Sequence, residues 1–479
     1  MRHFFAWFIL FCIPSNAQSA SASAPLPEWT VMVYMNAKNN LECAGLSNFS
    51  QMANVGSSDR VNLIVELGRP VKHRYTNDEG NWTGVLRFRV KQGMHPVEGS
   101  AINPDLGSVR NADMGSGATL SDFVRWSETT FPAKKFMLVI WNHGQGWRLY
   151  QALLVKDPAT WFPVNYKVAT FSDDDPKPCD GPSGQTLTGG FRSVSFDDDT
   201  GNFLYNRDVA DSMKGLHVDV LGFDACLMSM IESAYAFRDV ASLMVASEEL
   251  VPGDGWNYDL WLRKVLDNPE MDGQALAKEI VKSYGETYKD SGNTTISAIE
   301  MRGVRGATLA LAKVALLVRR RIKSEGPILA FTRVSFRTFG DWYDDSWQDC
   351  QGSKIVRFHG IDLQQFLRLY ARNTQDIEIR KQLAQTERLI AALVIANYAS
   401  SMSAGADHWA SGLAVYFPSS EIDYQCDNDK SGYDVEAVRA GLVQFAPQFV
   451  ELPGWADLLH EYLISLRSPS SRRSEDEKR

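Results

Sequence analysis

The chain has 479 residues, 44% apolar and 22% charged, with a formal net charge of −9. That is an ordinary globular composition with ample material for a core. The acidic balance argues against nucleic acid as a partner, since phosphates need a basic face, and is compatible with cationic substrates.

The first residues read as a targeting segment. Arg2 and His3 precede a short apolar run, Phe4 to Ile13, and Ser15-Asn16-Ala17 has the small-x-small form that signal peptidase cuts. Residues 1–17 are therefore expected to be a signal peptide and the mature protein to be secreted or periplasmic. The run is shorter than the about 20 apolar residues of a spanning helix, so no membrane span is expected. Five cysteines come after the signal: Cys43, Cys179, Cys226, Cys350 and Cys426. Their spacing matches no zinc pattern, and in an oxidising compartment an odd number leaves at least one thiol unpaired. If the other four pair, three connectivities are open.

Strands and helices then alternate. "WTVMVYM" (29–35) predicts a strand, a helix comes next over about 40–53, and "VNLIVEL" (61–67) predicts a second strand. "WTGVLRFRV" (82–90) reads as an added hairpin or edge strand, and "TLSDFVRWSETTF" has helical spacing. "KFMLVIW" (135–141) is a near-continuous apolar run, as a strand covered on both faces requires. Residues 148–200 are rich in Pro, Asp and Gly and read as a long excursion from the sheet. A helix near 206–215, the strand "VDVLGF" (218–223), a helix over 227–238 and the strand "SLMVASEE" (242–249) come next. Two helices within 257–290, the strand "TTISAIEM" (294–301) and a helix to about Lys323 complete this part.

The alternation predicts an α/β fold, a mostly parallel sheet sandwiched between helices, over residues 28–323. Residues 324–466 are expected to form a mostly helical C-terminal extension with one late strand at 412–418. Within it, "IRKQLAQTERLIAALVIANYA" reads as helical throughout. The polar, aperiodic end, 467–479, is expected to be a disordered tail.

Two strand ends carry chemistry. In "LVIWNHGQGW" an apolar strand runs straight into Asn142-His143, with Gly144 and Gly146 behind. In "DVLGFDACLMSM" a second strand ends on Asp224-Ala225-Cys226 and is expected to pass directly into a helix. Ligand sites of open α/β sheets lie outside the carboxyl ends of the strands. If these strands are neighbours, His143 and Cys226 project over one edge, and a helix N-terminus would lower the thiol's pKa. A thiolate to attack and an imidazole to manage protons are the minimum for cysteine-based acyl transfer. Without a side chain, the Gly144 N–H could approach a substrate carbonyl and form an oxyanion hole with the Cys226 N–H. A lone histidine after a strand is more often a structural hydrogen-bonder and a lone buried cysteine more often core. The reading rests on two such ends in one chain.

The chain resembles the clostripain family of cysteine peptidases, whose fold is like that of caspases, gingipains and legumains. The likeness is carried by "WTVMVYMNAKNNLE", "NHGQGW", "FDACLM", "ASEELVPGDGWNYD", "SGLAVYFP" and "GWADLLHEYL", and runs from about Trp29 to Leu463. It implies that His143 and Cys226 are the catalytic pair of a secreted endopeptidase working through a thioester acyl-enzyme. One departure is Lys38, where an aspartate would be expected. The resemblance further implies cleavage after Arg, with Lys weaker, through acidic groups in the pocket. Asp224 and Asp254 are the candidates, since a guanidinium pairs bidentately with a carboxylate. The rival readings are that Asp224 caps the 227–238 helix and that Asp254 is a plain turn residue. The partners implied are proteins or peptides with basic residues. Family members are often made as precursors and clipped between the two motifs, where this chain holds Lys156, Lys167, Lys177 and Arg192. No cofactor is expected to be required. "FDDDTGN", with Asp197 to Asp199 and Asn202, offers oxygen ligands for calcium but lacks the alternate spacing of an EF-hand loop. Alternative functions are a transpeptidase or amidase using the same pair, or a non-catalytic protein that holds basic peptides.

Overall fold

The computed structural model describes residues 25–72, 75–102, 109–148, 179, 194–343, 352–400, 410–427, 430–443 and 446–466. The expected signal peptide, the tail, Lys156, Lys167, Lys177, Arg192 and Cys350 lie outside the described residues.

In chain order the strands are β1 (Trp29–Asn36), β2 (Val61–Arg69), β3 (Gly84–Arg89), β4 (Lys135–Trp141), the hairpin β5 (Val194–Asp197) and β6 (Asn202–Leu204), and β7 (Val218–Asp224). Then come β8 (Ala241–Ala246), β9 (Thr295–Glu300), the ribbon β10 (Trp342–Tyr343) and β11 (Ile355–Val356), β12 (Gly360–Asp362), β13 (Val394–Ala399) and β14 (Ala414–Tyr416). The helices are α1 (Glu42–Val55), α2 (Gly117–Thr130), α3 (Asn206–Ser212), α4 (Ile231–Phe237), α5 (Tyr258–Asp267), α6 (Gly273–Thr287) and α7 (Val304–Arg320). The remainder are α8 (Ile322–Arg333), α9 (Leu363–Asn373), α10 (Ile377–Leu393), α11 (Glu421–Cys426), α12 (Val435–Arg439), α13 (Gln448–Glu451) and α14 (Trp455–Ser465).

One sheet of eight strands organises the molecule, in the order β13-β9-β8-β7-β4-β1-β2-β3. Its centre, β8-β7-β4-β1-β2, is parallel, while β3 closes one edge and β9 and β13 the other in antiparallel pairing. Every residue of β1 and β2 is buried, because helices cover both faces. Helices α1, α5 and α6 pack in one row, and α2, α3, α4, α7 and α10 in another. The pairing runs Trp29↔Lys135 to Met35↔Trp141 between β1 and β4, and Met137↔Val220 to Trp141↔Asp224 between β4 and β7. The carboxyl ends of three adjacent strands therefore finish level on one edge.

Two elements differ from the sequence reading. The helix expected through Ala399 stops at Leu393, and Val394–Ala399 becomes β13, antiparallel to β9. A Val-Ile start and a Tyr suit a pleated, half-buried edge, and the edge of β9 offers the hydrogen bonds. The region after Lys323 thus supplies a strand to the sheet that the region before it builds. The late strand is present as β14, but it pairs antiparallel with β12 in a separate two-stranded ribbon.

Among the cysteines, Cys43 on α1 is bonded to Cys179, and Cys426 is also disulfide-bonded. Cys226 is the free thiol among the described residues, and it is buried.

Candidate active site

The histidine turn begins where β4 ends. Trp141 is pinned by its indole N–H, which donates to Asn48 Oδ1 of α1 at 2.7 Å. The Asn142 N–H reaches Asp224 O at 3.3 Å, so the chain stays beside β7 one step past the last ladder pair. The Asn142 side chain then stitches the turn, donating to Asn36 O and accepting from the His143 N–H and, at 3.2 Å, from Asn39 Nδ2. His143 Nε2 lies 2.8 Å from Asn40 Oδ1. Burial pushes the imidazole's pKa down to about 4, so the ring is neutral at physiological pH.

The glycines behind His143 are there because the neighbouring turn leaves no room. A Cβ on Gly144 would sit 2.4 Å from Cys226 O, 2.9 Å from Ala225 Cβ and 3.0 Å from Cys226 N. At Gly146, with φ of +66°, it would sit 2.4 Å from Met230 Sδ and 2.9 Å from Leu227 O. Trp147 then packs edge-on against Tyr416 and Tyr433, with ring centroids 4.8 and 4.7 Å apart. Arg148 makes two hydrogen bonds of 3.0 Å to the buried carboxylate of Asp427.

Cys226 lies one residue beyond Ala225, past the end of β7, and is 5% exposed. The expected helix does not start there. Leu227 takes a left-handed φ of 61°, its N–H goes to Glu249 O, and the Ser229 N–H goes to Ser247 O. The chain runs beside residues 247–249 before α4 opens at Ile231. The thiol therefore has no helix N-terminus to lower its pKa. Burial pushes it up to about 12; the carboxylates of Glu249 and Asp224 add to the rise, and the Val251 N–H, 3.2 Å from Sγ, opposes it. In this closed site the pair is a neutral thiol and a neutral imidazole.

Asp224 does not cap α4, whose N-cap is Met230. Its Oδ2 accepts from the Trp256 N–H at 3.0 Å and from the Tyr258 hydroxyl at 2.9 Å, and the residue is 4% exposed. Burial raises its pKa to about 7. Asp254 lies on the loop that Asp224 supports. Asn48 Nδ2 donates to its carbonyl at 2.9 Å, and it lines a cleft of about 590 Å³ with Gly255, Trp256, Tyr288 and the Cys43–Cys179 bridge. The two acids thus meet through one loop, Asp224 beneath it and Asp254 at the cleft.

A carboxyl whose folded pKa is raised favours the fold at low pH, and that contribution is lost as pH climbs through the folded value. For Asp224 the window runs from about 4 to about 7. An asparagine keeps an acceptor for Trp256 and Tyr258 without the buried charge. The melting temperature of Asp224→Asn relative to the unsubstituted protein is therefore expected to be more favourable at pH 8 than at pH 5, measured by differential scanning calorimetry.

No cluster of three His, Cys, Asp or Glu side chains able to hold a metal ion occurs among the described residues. In "FDDDTGN" the acidic charge is met from within. The buried Lys38 donates to Asp197 Oδ2 at 2.9 Å and to Ala112 O at 3.3 Å, with Asp199 Oδ2 at 3.2 Å. Asp199 also accepts from the backbone of Val71 and Lys72, and Asn202 donates to Asp113. The lysine that departs from the expected aspartate thus fills the centre of the acidic turn.

Sequence reasoning missed Asn40, the Val251 N–H on the sulfur, and the brace that sets Val251. In that brace Glu249 accepts from Gly340 N at 2.7 Å and from Arg337 Nη2 at 2.9 Å. The one available signal was position: Asn40 comes just after the end of β1, the strand beside β4.

A mostly parallel sheet with a histidine at one strand end and a cysteine at the next is the layout of a caspase-like cysteine peptidase. Residues 33–162 and 186–426 match the model of the clostripain family, and the chain belongs to that family of cysteine peptidases. It is similar to clostripain of Hathewaya histolytica, with 26% identity over 258 residues, which are 51% of this chain and 42% of that protein. The chain thus spans less than half the length of that curated relative. Two solved structures share the fold. One is an inactive zymogen C11 protease from Parabacteroides distasonis, with a TM-score of 0.52 and 16% identity over 82% of this chain and 93% of that one. The other is a secreted C11 cysteine protease from Bacteroides thetaiotaomicron in complex with an irreversible peptide inhibitor, with a TM-score of 0.52, 15% identity and the same coverage.

Proposed function

We propose that the protein is a secreted cysteine endopeptidase that cuts after Arg, and more weakly after Lys, with His143 and Cys226 as its catalytic pair. The observation that carries this reading is the level ending of β4 and β7, with Gly144 seated directly on the Cys226 backbone. Cys226 Sγ attacks the scissile carbonyl carbon while its proton passes to His143. The oxyanion is met by the N–H groups of Gly144 and Cys226. The C–N bond breaks as His143 returns the proton to the leaving amine, which leaves a thioester. Water attacks the thioester with His143 taking its proton, and the acid product and free thiol are released.

The Cys43–Cys179 bridge supports export, since such bonds persist in oxidising compartments. The basic preference rests on the likeness to clostripain and on Asp254 at the cleft with Asp224 below it. Fluorogenic peptides ending in Arg, Lys and Leu test it. The expected order of kcat/KM is Arg, then Lys, then Leu, with Arg at least about 100-fold above Leu, as a desolvated charge pair allows. Equal turnover of the Leu peptide would overturn the specificity. Binding of the Arg peptide without turnover would favour the non-catalytic reading.

No cofactor enters this mechanism, and Lys38 supplies the charge that a cation would bring to the acidic turn. Activity is expected to stay within about twofold when calcium is removed by a chelator, because a lysine fixed by two carboxylates needs no second cation. A loss of activity that added calcium restores would refute this.

A further inference from the structure

We propose that Asn40 is the positioning residue of the catalytic imidazole: its side-chain oxygen holds the His143 Nε2–H and so makes Nδ1 the nitrogen that takes and returns protons. This rests on the reading of His143 and Cys226 as the catalytic pair. An amide oxygen can only accept, so the 2.8 Å contact fixes Nε2 as the protonated nitrogen of the neutral ring. Which nitrogen of a histidine is basic is decided by the bond the other one makes. A nucleophile and its base generally need such a third group to orient the base.

The loop carrying Asn40 is held at both ends, which gives the contact its precision. Asn36 Nδ2 donates to Ser195 Oγ at 3.1 Å and to Phe196 O at 3.0 Å. Asn39 Nδ2 donates to Phe196 O at 2.8 Å and to Asn142 Oδ1 at 3.2 Å, and Asn39 Oδ1 accepts from the Leu41 N–H at 2.9 Å. Beyond it, Glu42 is locked by a fully buried pair, Arg69 Nε to Oε1 at 2.6 Å, and by the Tyr75 N–H at 2.8 Å. Asn40 thus sits between the stitched end of β1 and a buried ion pair at the start of α1, next to the strand end that carries His143. The ionisable group on the neighbouring strand end is Cys226, with Asp224 and Glu249 acting on the thiol, and among the described residues burial is what depresses the histidine.

The test reads the ring directly. In Cys226→Ala protein labelled with 15N-histidine, and with the His143 signal assigned by its absence in a His143→Gln sample, ring nitrogen shifts are tracked against pH. The expected parent signal is the Nε2–H tautomer. Asn40→Asp, of the same shape, raises the His143 pKa by about 1 to 2 units, as a carboxylate in contact does. Asn40→Ala mixes the tautomers. With Cys226 restored, Asn40→Ala lowers kcat about 10- to 100-fold with KM within about twofold, because the contact serves the proton transfers rather than substrate binding. Asn40→Asp moves the imidazole limb of the pH–rate profile upward. An Nδ1–H tautomer in the parent, or a His143 titration that Asn40→Asp leaves unmoved, overturns the proposal. Because the spectra need no turnover, expected spectra from an inactive wild type uphold the orientation and sink the peptidase reading alone.

Discussion

Alanine at Cys226 or at His143 is expected to lower kcat for an Arg-ended peptide by roughly 10⁴- to 10⁶-fold, and the double variant by no more than the worse single one. The non-additivity comes from the geometry. The thiol is held near a pKa of about 12 and the imidazole near 4, so neither is ionised alone in the closed site. In the proposed mechanism the nucleophile forms only when the proton moves between them as substrate arrives. Removing the thiol leaves the imidazole without a proton to accept, and removing the imidazole leaves a buried thiol with no base. Stopped-flow and long-incubation rates on the two single variants and the double variant check this. Additive losses, or a His143→Ala enzyme that keeps a tenth of its rate, would mean that another group handles the proton.

Gly144→Ala is expected to cost about 100- to 1000-fold in kcat, the scale of losing an oxyanion donor, with the melting temperature changed far less than the rate. The added methyl would lie 2.4 Å from the Cys226 carbonyl oxygen, which is backbone and cannot swing aside. The Gly144 and Cys226 turns must therefore part, which moves both proposed oxyanion donors. Rates beside calorimetric melting of the same sample separate this from simple unfolding. A fully active Gly144→Ala protein would show that neither N–H serves the carbonyl.

The two reactive strand ends were legible because each is a continuous apolar run that stops on a polar, reactive residue. A run covered on both faces can end that way only at an edge of the sheet. The path of the chain after Cys226 was not legible: Leu227 in a left-handed conformation carries no side-chain mark. Its strand-like course beside residues 247–249 is held by hydrogen bonds to a segment twenty residues away. The same holds for Val394–Ala399, where alanine-rich sequence continues the period of α10 and only the edge of β9 turns it into a strand. Asn40 was hidden by its own neighbours, since a cluster of asparagines after a strand looks like a turn until one faces the imidazole. Asp224 was legible as an acid beside Cys226. Its attachment to Trp256 and Tyr258 depends on a loop whose path spacing does not reveal.

The bridge between Cys43 and Cys179 joins residues 136 positions apart, and the His143 strand lies inside that loop. A backbone break after Lys156, Lys167 or Lys177 therefore falls within a closed ring of chain. Such a molecule keeps the mass of an unbroken one on a denaturing gel until the bond is reduced, whereas a break after Arg192 leaves both cysteines on the same fragment. A reductant added to keep the Cys226 thiol reduced also cuts this tether, so one reagent both protects that thiol and reveals any break in the ring.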